Sequence, residues 1–378
     1  MTFLITALGV GGAETQLTRT VSALAKRGWR VRVLALRDRP GLAGELIESG
    51  VPIRVLTPAG RRPGFGTWRA LICALREEPV DCLVTFLLQA NVIGRLAGRW
   101  CGVRVVSSIR NTRFGGDSRY GARLGDFLEL VTMPLAQLVV INARSTANAL
   151  VARGVVPASK VRIVPNALPP SPPPLSGTAV ARARAELGLG RDDFVWITAG
   201  RLQAQKNHAV LLEAFACLVR EVPRSVLLVA GEGPLADTLR SRTTALGLGA
   251  SVRWLGLRRD LPDLLRVADA FVLSSRWEGL PNVVMEALAA GLPTVATTVG
   301  GIDTLIEDGI SGWIAASPTA EDLLSAMRRL TACSPVERAL VAATGRDRVL
   351  ANFSLDSAID RWERVFHEAS GQRGESAA

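Results

Sequence analysis

Two carboxylates, two cations and the glycines beside them are the residues of this chain whose types and spacing could do chemistry. Ala270-Phe271-Val272-Leu273 is an apolar run that reads as a buried parallel strand, and Ser275-Arg276-Trp277-Glu278-Gly279-Leu280-Pro281-Asn282 follows it. Pro281 suits the first turn of a helix carrying Val284, Leu288 and Gly291. Glu278 then lies in the loop before that helix, and Glu286 lies within it, among apolar neighbours where an unpaired carboxylate would be costly to bury. Backbone N–H groups at Gly279-Leu280 and the helix start offer an anion seat, flanked by two carboxylates that accept hydrogen bonds from hydroxyls. That combination suits a sugar nucleotide. Upstream, an apolar strand over residues 194–199 runs into Gly200-Arg201-Leu202-Gln203-Ala204-Gln205-Lys206-Asn207. Arg201 and Lys206 set two positive charges beside a glycine at a strand's carboxyl end, the equipment for a diphosphate leaving group.

The elements that must position these residues alternate between strand and helix patterns. Residues 3–8 read as a first strand, Gly9-Val10-Gly11-Gly12-Ala13-Glu14 as a glycine loop, and Leu17, Val21, Leu24 and Ala25 as the apolar stripe of a helix. The loop can bring N–H groups close to an anion, but Gly-Val-Gly-Gly lacks the Gly-x-Gly-x-x-Gly spacing of a dinucleotide fingerprint, and a tight turn accounts for it equally well. Further strands are expected over 30–36, 53–56, 82–86, 104–109, 138–142 and 161–164, with helices between them, which is the alternation of a doubly wound parallel sheet. A proline-rich connector over 166–178 separates this first domain, 1–165, from a second alternation over 179–352. Residues 353–369 form a last helix, carrying Trp362 and Phe366 at helical spacing, and 370–378 read as a disordered tail.

Length and composition bound the alternatives. A chain of 378 residues suits two domains, and 48% hydrophobic with 21% charged residues is globular usage. The five cysteines are scattered without a Cys-x-x-Cys pair and read as reduced core residues, while two histidines argue against a His-based triad or metal site. No apolar run reaches the length of a membrane span. Charge is unevenly placed: residues 1–170 hold 23 Lys and Arg against 10 Asp and Glu, net +13, whereas 171–378 hold 22 against 24, net −2. The basic first half implies an anionic partner, and a single Tyr among sparse aromatics makes nucleic acid a poor candidate. Arg113, Arg119 and Arg123 precede Phe127, Leu128, Leu130, Val131, Met133 and Leu135, which reads either as an interfacial helix or as a core-facing one.

The frame Glu-Gly-Leu-Pro-Asn-x-x-x-Glu-Ala-x-Ala-x-Gly over 278–291, followed by Pro293-Thr294-Val295 and Gly300-Gly301, resembles the donor motif of family 4 retaining glycosyltransferases. Gly200-Arg201-Leu202 with Lys206-Asn207 resembles the same family's diphosphate loop. The competing reading, a surface Glu beside a helix Glu paired to a neighbouring Arg, leaves the surrounding Gly, Pro, Asn and Ala positions unexplained. The resemblance implies an α/β GT-B architecture of two Rossmann-like domains about a cleft, with an acceptor-side domain first and a donor-binding domain second. It implies transfer of a sugar from a UDP- or GDP-linked donor, with retention, to a lipid-linked or growing saccharide acceptor. Arg201, Lys206 and Glu278 would then be the catalytic residues, with Glu286, Gly279, Leu280, Gly11 and Gly12 as donor contacts. Many family members carry a histidine where this chain has Arg110 and Asn111. That departure points to an arginine reading an anionic acceptor group such as a lipid diphosphate. No Asp-x-Asp stands in these motifs, so neither metal nor cofactor is expected, and the basic first domain would bring a cytoplasmic enzyme peripherally to the membrane's inner face.

Overall fold

The computed structural model describes residues 1–9, 11–39, 41–110, 120–169 and 176–371. Strands and helices alternate almost without exception. In the first part of the chain they are β1 (Thr2–Ile5), α1 (Gly12–Lys26), β2 (Arg32–Ala35), α2 (Ala43–Glu48), β3 (Ile53–Val55), α3 (Phe65–Glu77), β4 (Cys82–Phe86), α4 (Leu88–Cys101), β5 (Arg104–Ile109), α5 (Tyr120–Thr132), β6 (Leu138–Ile141), α6 (Arg144–Ala152) and β7 (Val161–Ile163). The second part runs α7 (Gly177–Glu186), β8 (Phe194–Ala199), α8 (His208–Glu221), β9 (Ser225–Ala230), α9 (Ala236–Ala245), β10 (Val252–Gly256), α10 (Leu261–Val267) and β11 (Ala270–Leu273). It continues through α11 (Asn282–Ala289), β12 (Thr294–Thr297), α12 (Ile302–Leu305), β13 (Trp313–Ala315), α13 (Ala320–Ala332) and α14 (Pro335–Asn352), before a last helix, α15 (Leu355–Ser370).

These elements form two compact units, one of Met1–Pro169 with Phe353–Ala378 and one of Pro170–Asn352. Each holds a single sheet whose strand pairs are parallel: β3-β2-β1-β4-β5-β6-β7 in the first and β10-β9-β8-β11-β12-β13 in the second. Both orders reverse direction once, between β1 and β4 and between β8 and β11. At such a switch point the loops leaving neighbouring strands diverge, and a crevice opens at the strands' carboxyl ends. The four residues of β1 and of β11 are all buried, the pattern of strands covered on both faces by helices.

Helix α15 belongs to the first unit, and its apolar stripe enters that unit's core. Ile359, Trp362, Phe366 and Ala369 are each 1% exposed or less, and the Phe366 ring meets Phe3 edge-on at 6.2 Å while Trp362 stacks on Phe86 at 6.0 Å. Ser354 caps the helix by accepting from the Ser357 N–H at 3.2 Å, and Gly371 ends it in the left-handed conformation. Residues 166–169, which composition assigns to the connector, are packed within the first unit. Gln16 exchanges two hydrogen bonds with the backbone of Ala167, at 2.9 and 2.8 Å, and the Leu168 N–H donates to the Phe353 carbonyl at 2.9 Å. The remainder of the expected connector through residue 175, and the tail from residue 372, lie outside the described residues.

One other expectation is corrected, and one left open is decided. All five cysteines are free, but Cys73 and Cys217 are exposed on α3 and α8 rather than in the core; Cys82 is buried, and burial pushes its thiol up to about 12. Helix α5 is not core-facing in the expected sense: Phe127, Leu128, Leu130 and Val131 point outward and Glu129 points in. Glu129 accepts from Arg95 Nη2 at 2.8 Å and from Asn91 Nδ2 at 3.3 Å, and Arg95 Nε donates to Ser107 Oγ at 2.8 Å. Arg95 is fully buried, and desolvation lowers its pKa against the opposing pull of Glu129.

Truncating one member of a buried pair strands the other charge. Glu129→Ala should therefore destabilise the first unit by about 3–5 kcal/mol, and the double replacement Arg95→Met with Glu129→Leu should recover most of that loss; chemical denaturation checks both. In the second unit His208, 4% exposed, has its pKa lowered to about 4, first by burial and then by the charge of Lys206. A neutral buried His stabilises fully above its unfolded pKa of about 6.5, and that contribution is lost as pH falls from there toward about 4. Denaturation between pH 7 and 4 should show a loss on the order of 3 kcal/mol that His208→Gln removes.

Candidate active site

The loops leaving β8 and β11 meet at the switch point of the second sheet, and there two of the expected residues touch. Lys206 Nζ donates to Glu278 Oε1 at 2.6 Å, with the side chains 16% and 11% exposed. Ser275 Oγ donates to the same oxygen at 2.8 Å. Gln205 Nε2 donates to the Trp277 carbonyl at 2.9 Å and makes a longer contact to Glu278 Oε2 at 3.4 Å. An additional backbone bond, Arg276 N–H to the Gln205 carbonyl at 2.8 Å, ties the two loops together, and Ser274 Oγ donates to the Lys206 carbonyl at 2.8 Å. The carboxylate is thus fixed from three sides before any substrate is considered.

The backbone explains how Lys206 reaches it. Gly200 sits at φ 155°, and a Cβ there would stand 3.1 Å from Lys206 Cε, so the lysine stem lies over the glycine. Gly231, at φ 144°, follows the neighbouring strand β9, and its Cβ would fall 2.0 Å from the Gly200 carbonyl oxygen. Only glycine fits that contact. After Lys206 the chain turns through Asn207 in the left-handed conformation, φ 53°, which Asn tolerates better than other side-chain-bearing residues. Asn207 is held by its own amide, which donates to the Pro318 carbonyl at 3.1 Å and accepts from Arg276 Nε at 3.2 Å.

Arg201 lies on the same loop as Lys206 with its side chain exposed, and it forms no ion pair among the described residues. Gly279 and Leu280 are buried between Glu278 and the start of α11. Pro281 has extended backbone and precedes the helix as its cap, one position earlier than the sequence places it; Glu286 lies within α11, half-buried. The structure therefore brings Lys206 and Glu278 into contact and sets Arg201 and Glu286 on the elements that carry them. Ser275 and Gln205 hold Glu278 in the candidate site, and motif reading passes over both. Ser275 had a usable signal, a hydroxyl at a strand's carboxyl end three residues before the carboxylate it holds.

The other expected residues belong to the first unit. Gly11 caps α1 with extended backbone, and Gly12 is its first residue, so both stand at the carboxyl end of β1 beside that sheet's switch point. A Cβ on Gly11 would come within 2.5 Å of Glu14 Oε2. Arg110 follows β5; its guanidinium donates to Ser108 Oγ at 2.7 Å and Asn166 Oδ1 at 2.8 Å, and lies 5.1 Å from the Phe86 ring centre and 5.6 Å from that of Trp362. Burial pulls its pKa down to about 9, which leaves it charged at neutral pH. Asn111 lies outside the described residues, as do Arg113 and Arg119.

Comparison with known proteins matches both units. Residues 180–346 match the family described as glycosyl transferases group 1, and residues 11–167 match the glycosyl transferase 4-like domain. The UDP-Gal:alpha-D-GlcNAc-diphosphoundecaprenol alpha-1,3-galactosyltransferase of Escherichia coli is 26% identical over 302 residues, covering 77% of this chain and 76% of that protein. The lipopolysaccharide core biosynthesis glycosyltransferase LpsD of Rhizobium meliloti is 28% identical over 367 residues, covering 96% and 97%. Among solved structures, Anabaena HepE in complex with UDP superposes with a TM-score of 0.83 at 20% identity, over 97% of this chain and 99% of that one. The same protein in complex with UDP-glucose superposes with a TM-score of 0.82. Two parallel-sheet units matched in order by glycosyltransferase families, and a shared fold over nearly the whole chain, place this protein among the family 4 glycosyltransferases of GT-B fold.

Proposed function

We propose that the enzyme moves a sugar from a nucleoside diphosphate donor, with retained anomeric configuration, to a lipid-linked or growing saccharide acceptor in cell-surface polysaccharide or glycolipid synthesis. The observation that carries this reading is the Lys206–Glu278 pair, where a cation and a hydroxyl-accepting carboxylate share one switch point. Lys206 and Arg201 take up charge on the departing diphosphate, aided by the N–H groups at Gly279-Leu280 and the start of α11. Glu278 holds hydroxyls of the donor sugar, and Glu286 holds those of the ribose. The bond from the anomeric carbon to the β-phosphate oxygen breaks, and its electron pair leaves with the phosphate. An acceptor hydroxyl forms the new bond on the same face and passes its proton to the departing phosphate oxygen. Catalysis rests on stabilising that leaving group more strongly than the bound donor.

UDP is favoured as the carrier over GDP, since the Escherichia coli relative is named for UDP-Gal and HepE was solved with UDP and with UDP-glucose. Gly11 and Gly12 would contact donor or acceptor from the first unit, and Arg110 with Asn111 would face an anionic acceptor group. The net +13 of residues 1–170 would draw the enzyme from the cytoplasm to the anionic inner face of the membrane, where a lipid-linked acceptor lies.

Glu286→Ala should weaken binding of free UDP by about 1.5–3 kcal/mol, because the ribose loses a charge-assisted acceptor; calorimetry checks it, and an unchanged affinity removes Glu286 from that role. Glu278→Ala should lower turnover more than UDP affinity. Arg201→Met and Lys206→Met should each lower turnover of a nucleotide-sugar panel, scored by free sugar or transferred product. A thermal melt of each variant separates lost catalysis from lost folding, since Lys206→Met also strands a largely buried carboxylate. Activity should survive a chelator; its loss, reversed by manganese or magnesium, would sink the cation-based mechanism.

A further inference from the structure

Helix α5 is built the wrong way round for a helix in water. A surface helix normally buries its apolar stripe and shows its charges. Here Glu129 is 4% exposed and locked to fully buried Arg95, while Leu124, Phe127 and Val131 are 61%, 59% and 58% exposed. Leu128 joins them at the surface, and α4, packed alongside, adds Leu96 and a Trp100 that is 69% exposed. The inversion is held in place by the polar network beneath it, because turning α5 over would pull Glu129 off Arg95 and leave a buried guanidinium unpaired. Isolated exposed leucines are ordinary, but a run of them on two adjoining helices marks an interaction surface.

The charges around this face select its partner. Helix α3 packs on the other side of α4 and shows Arg69 and Arg76 to solvent, and Arg99 is exposed beside Trp100. None of these three arginines forms an ion pair among the described residues. An apolar face bordered by unpaired cations offers both interactions that hold a protein at an anionic bilayer, burial below the headgroups and attraction to them. No described helix is long and apolar enough to cross a membrane.

We propose that the outward faces of α4 and α5 insert into the interfacial layer of an anionic membrane, with Phe127, Val131 and Trp100 reaching the acyl boundary and Arg69, Arg76 and Arg99 engaging headgroups. This rests on the transfer reading above only in that a lipid-linked acceptor would be met there. It goes beyond charge attraction in one respect: binding has an apolar part that salt does not screen.

The test uses the full chain with vesicles of phosphatidylcholine alone or of phosphatidylcholine mixed with anionic phosphatidylglycerol. The wild type should float with the anionic vesicles at low salt and retain a measurable fraction at high salt. Phe127→Ser with Val131→Ser should remove the salt-resistant fraction and weaken overall binding at least roughly tenfold, as expected for two buried side chains lost from the bilayer. Arg69→Gln, Arg76→Gln and Arg99→Gln together should instead weaken low-salt binding and leave the salt-resistant fraction. Lipids brominated on the acyl chain should quench tryptophan fluorescence, and Trp100→Phe should abolish most of that quenching. Transfer to a water-soluble acceptor should be unchanged in the serine variant, so an inactive wild type would count against the proposed reaction and not against the membrane face. Wild-type binding by the serine variant, no quenching through Trp100, or a dimer in solution that Phe127→Ser dissolves would each overturn the assignment.

Discussion

The ion pair between Lys206 and Glu278 is the interaction on which the chemistry proposed for the second unit depends. Two loops leave the adjacent strands β8 and β11 at the point where the sheet order reverses, where loops otherwise diverge. Gly231, after β9, lets that loop close onto the Gly200 carbonyl after β8, Asn207 turns the chain through a left-handed residue, and the lysine stem is laid over Gly200 toward the carboxylate. Ser275 and Gln205 fix the other side of Glu278. A charge pair so placed is preorganised. In the proposed reaction its cation would stabilise a developing phosphate charge without the reorganisation that a solvated lysine would need.

The first unit solves a different problem with related means. Its core is closed by a helix from the far end of the chain, and the aromatic contacts among Phe3, Phe86, Trp362 and Phe366 make α15 part of that core. The same two rings, Phe86 and Trp362, carry the Arg110 guanidinium, so the C-terminal helix also shapes the carboxyl end of β5. On the opposite flank, Arg95 and Glu129 trade stability for orientation: an apolar pair would pack as well, but it would not dictate which side of α5 faces inward.

Much of this was legible in the residues. The apolar runs bounded by glycine and serine marked the strands of both sheets, and the 278–291 frame with Gly200, Arg201 and Lys206 marked the candidate site. The contact between Lys206 and Glu278 was not legible, since 72 positions separate them and only the β8-β11 adjacency brings them together. The orientation of α5 was equally hidden. Its periodicity admits one apolar face, but whether that face looks in or out is decided by Arg95, 34 positions away on another helix. The connector was placed early because its prolines dominate composition, whereas Asn166 and Ala167 are claimed by Arg110 and Gln16, contacts that a local reading cannot see. Short strands such as β13, of three residues, carry too little pattern to stand out.

The proposed function requires that the nucleoside diphosphate be bound at the Lys206–Glu278 switch point. A crystal structure of the chain with UDP tests it most directly. The claim predicts the diphosphate within hydrogen-bonding distance of Lys206 Nζ and of the backbone N–H groups around Gly279 and Leu280, with both ribose hydroxyls on Glu286. A diphosphate bound elsewhere, with the Lys206 to Glu278 contact undisturbed and Glu286 turned away from the ribose, would contradict it.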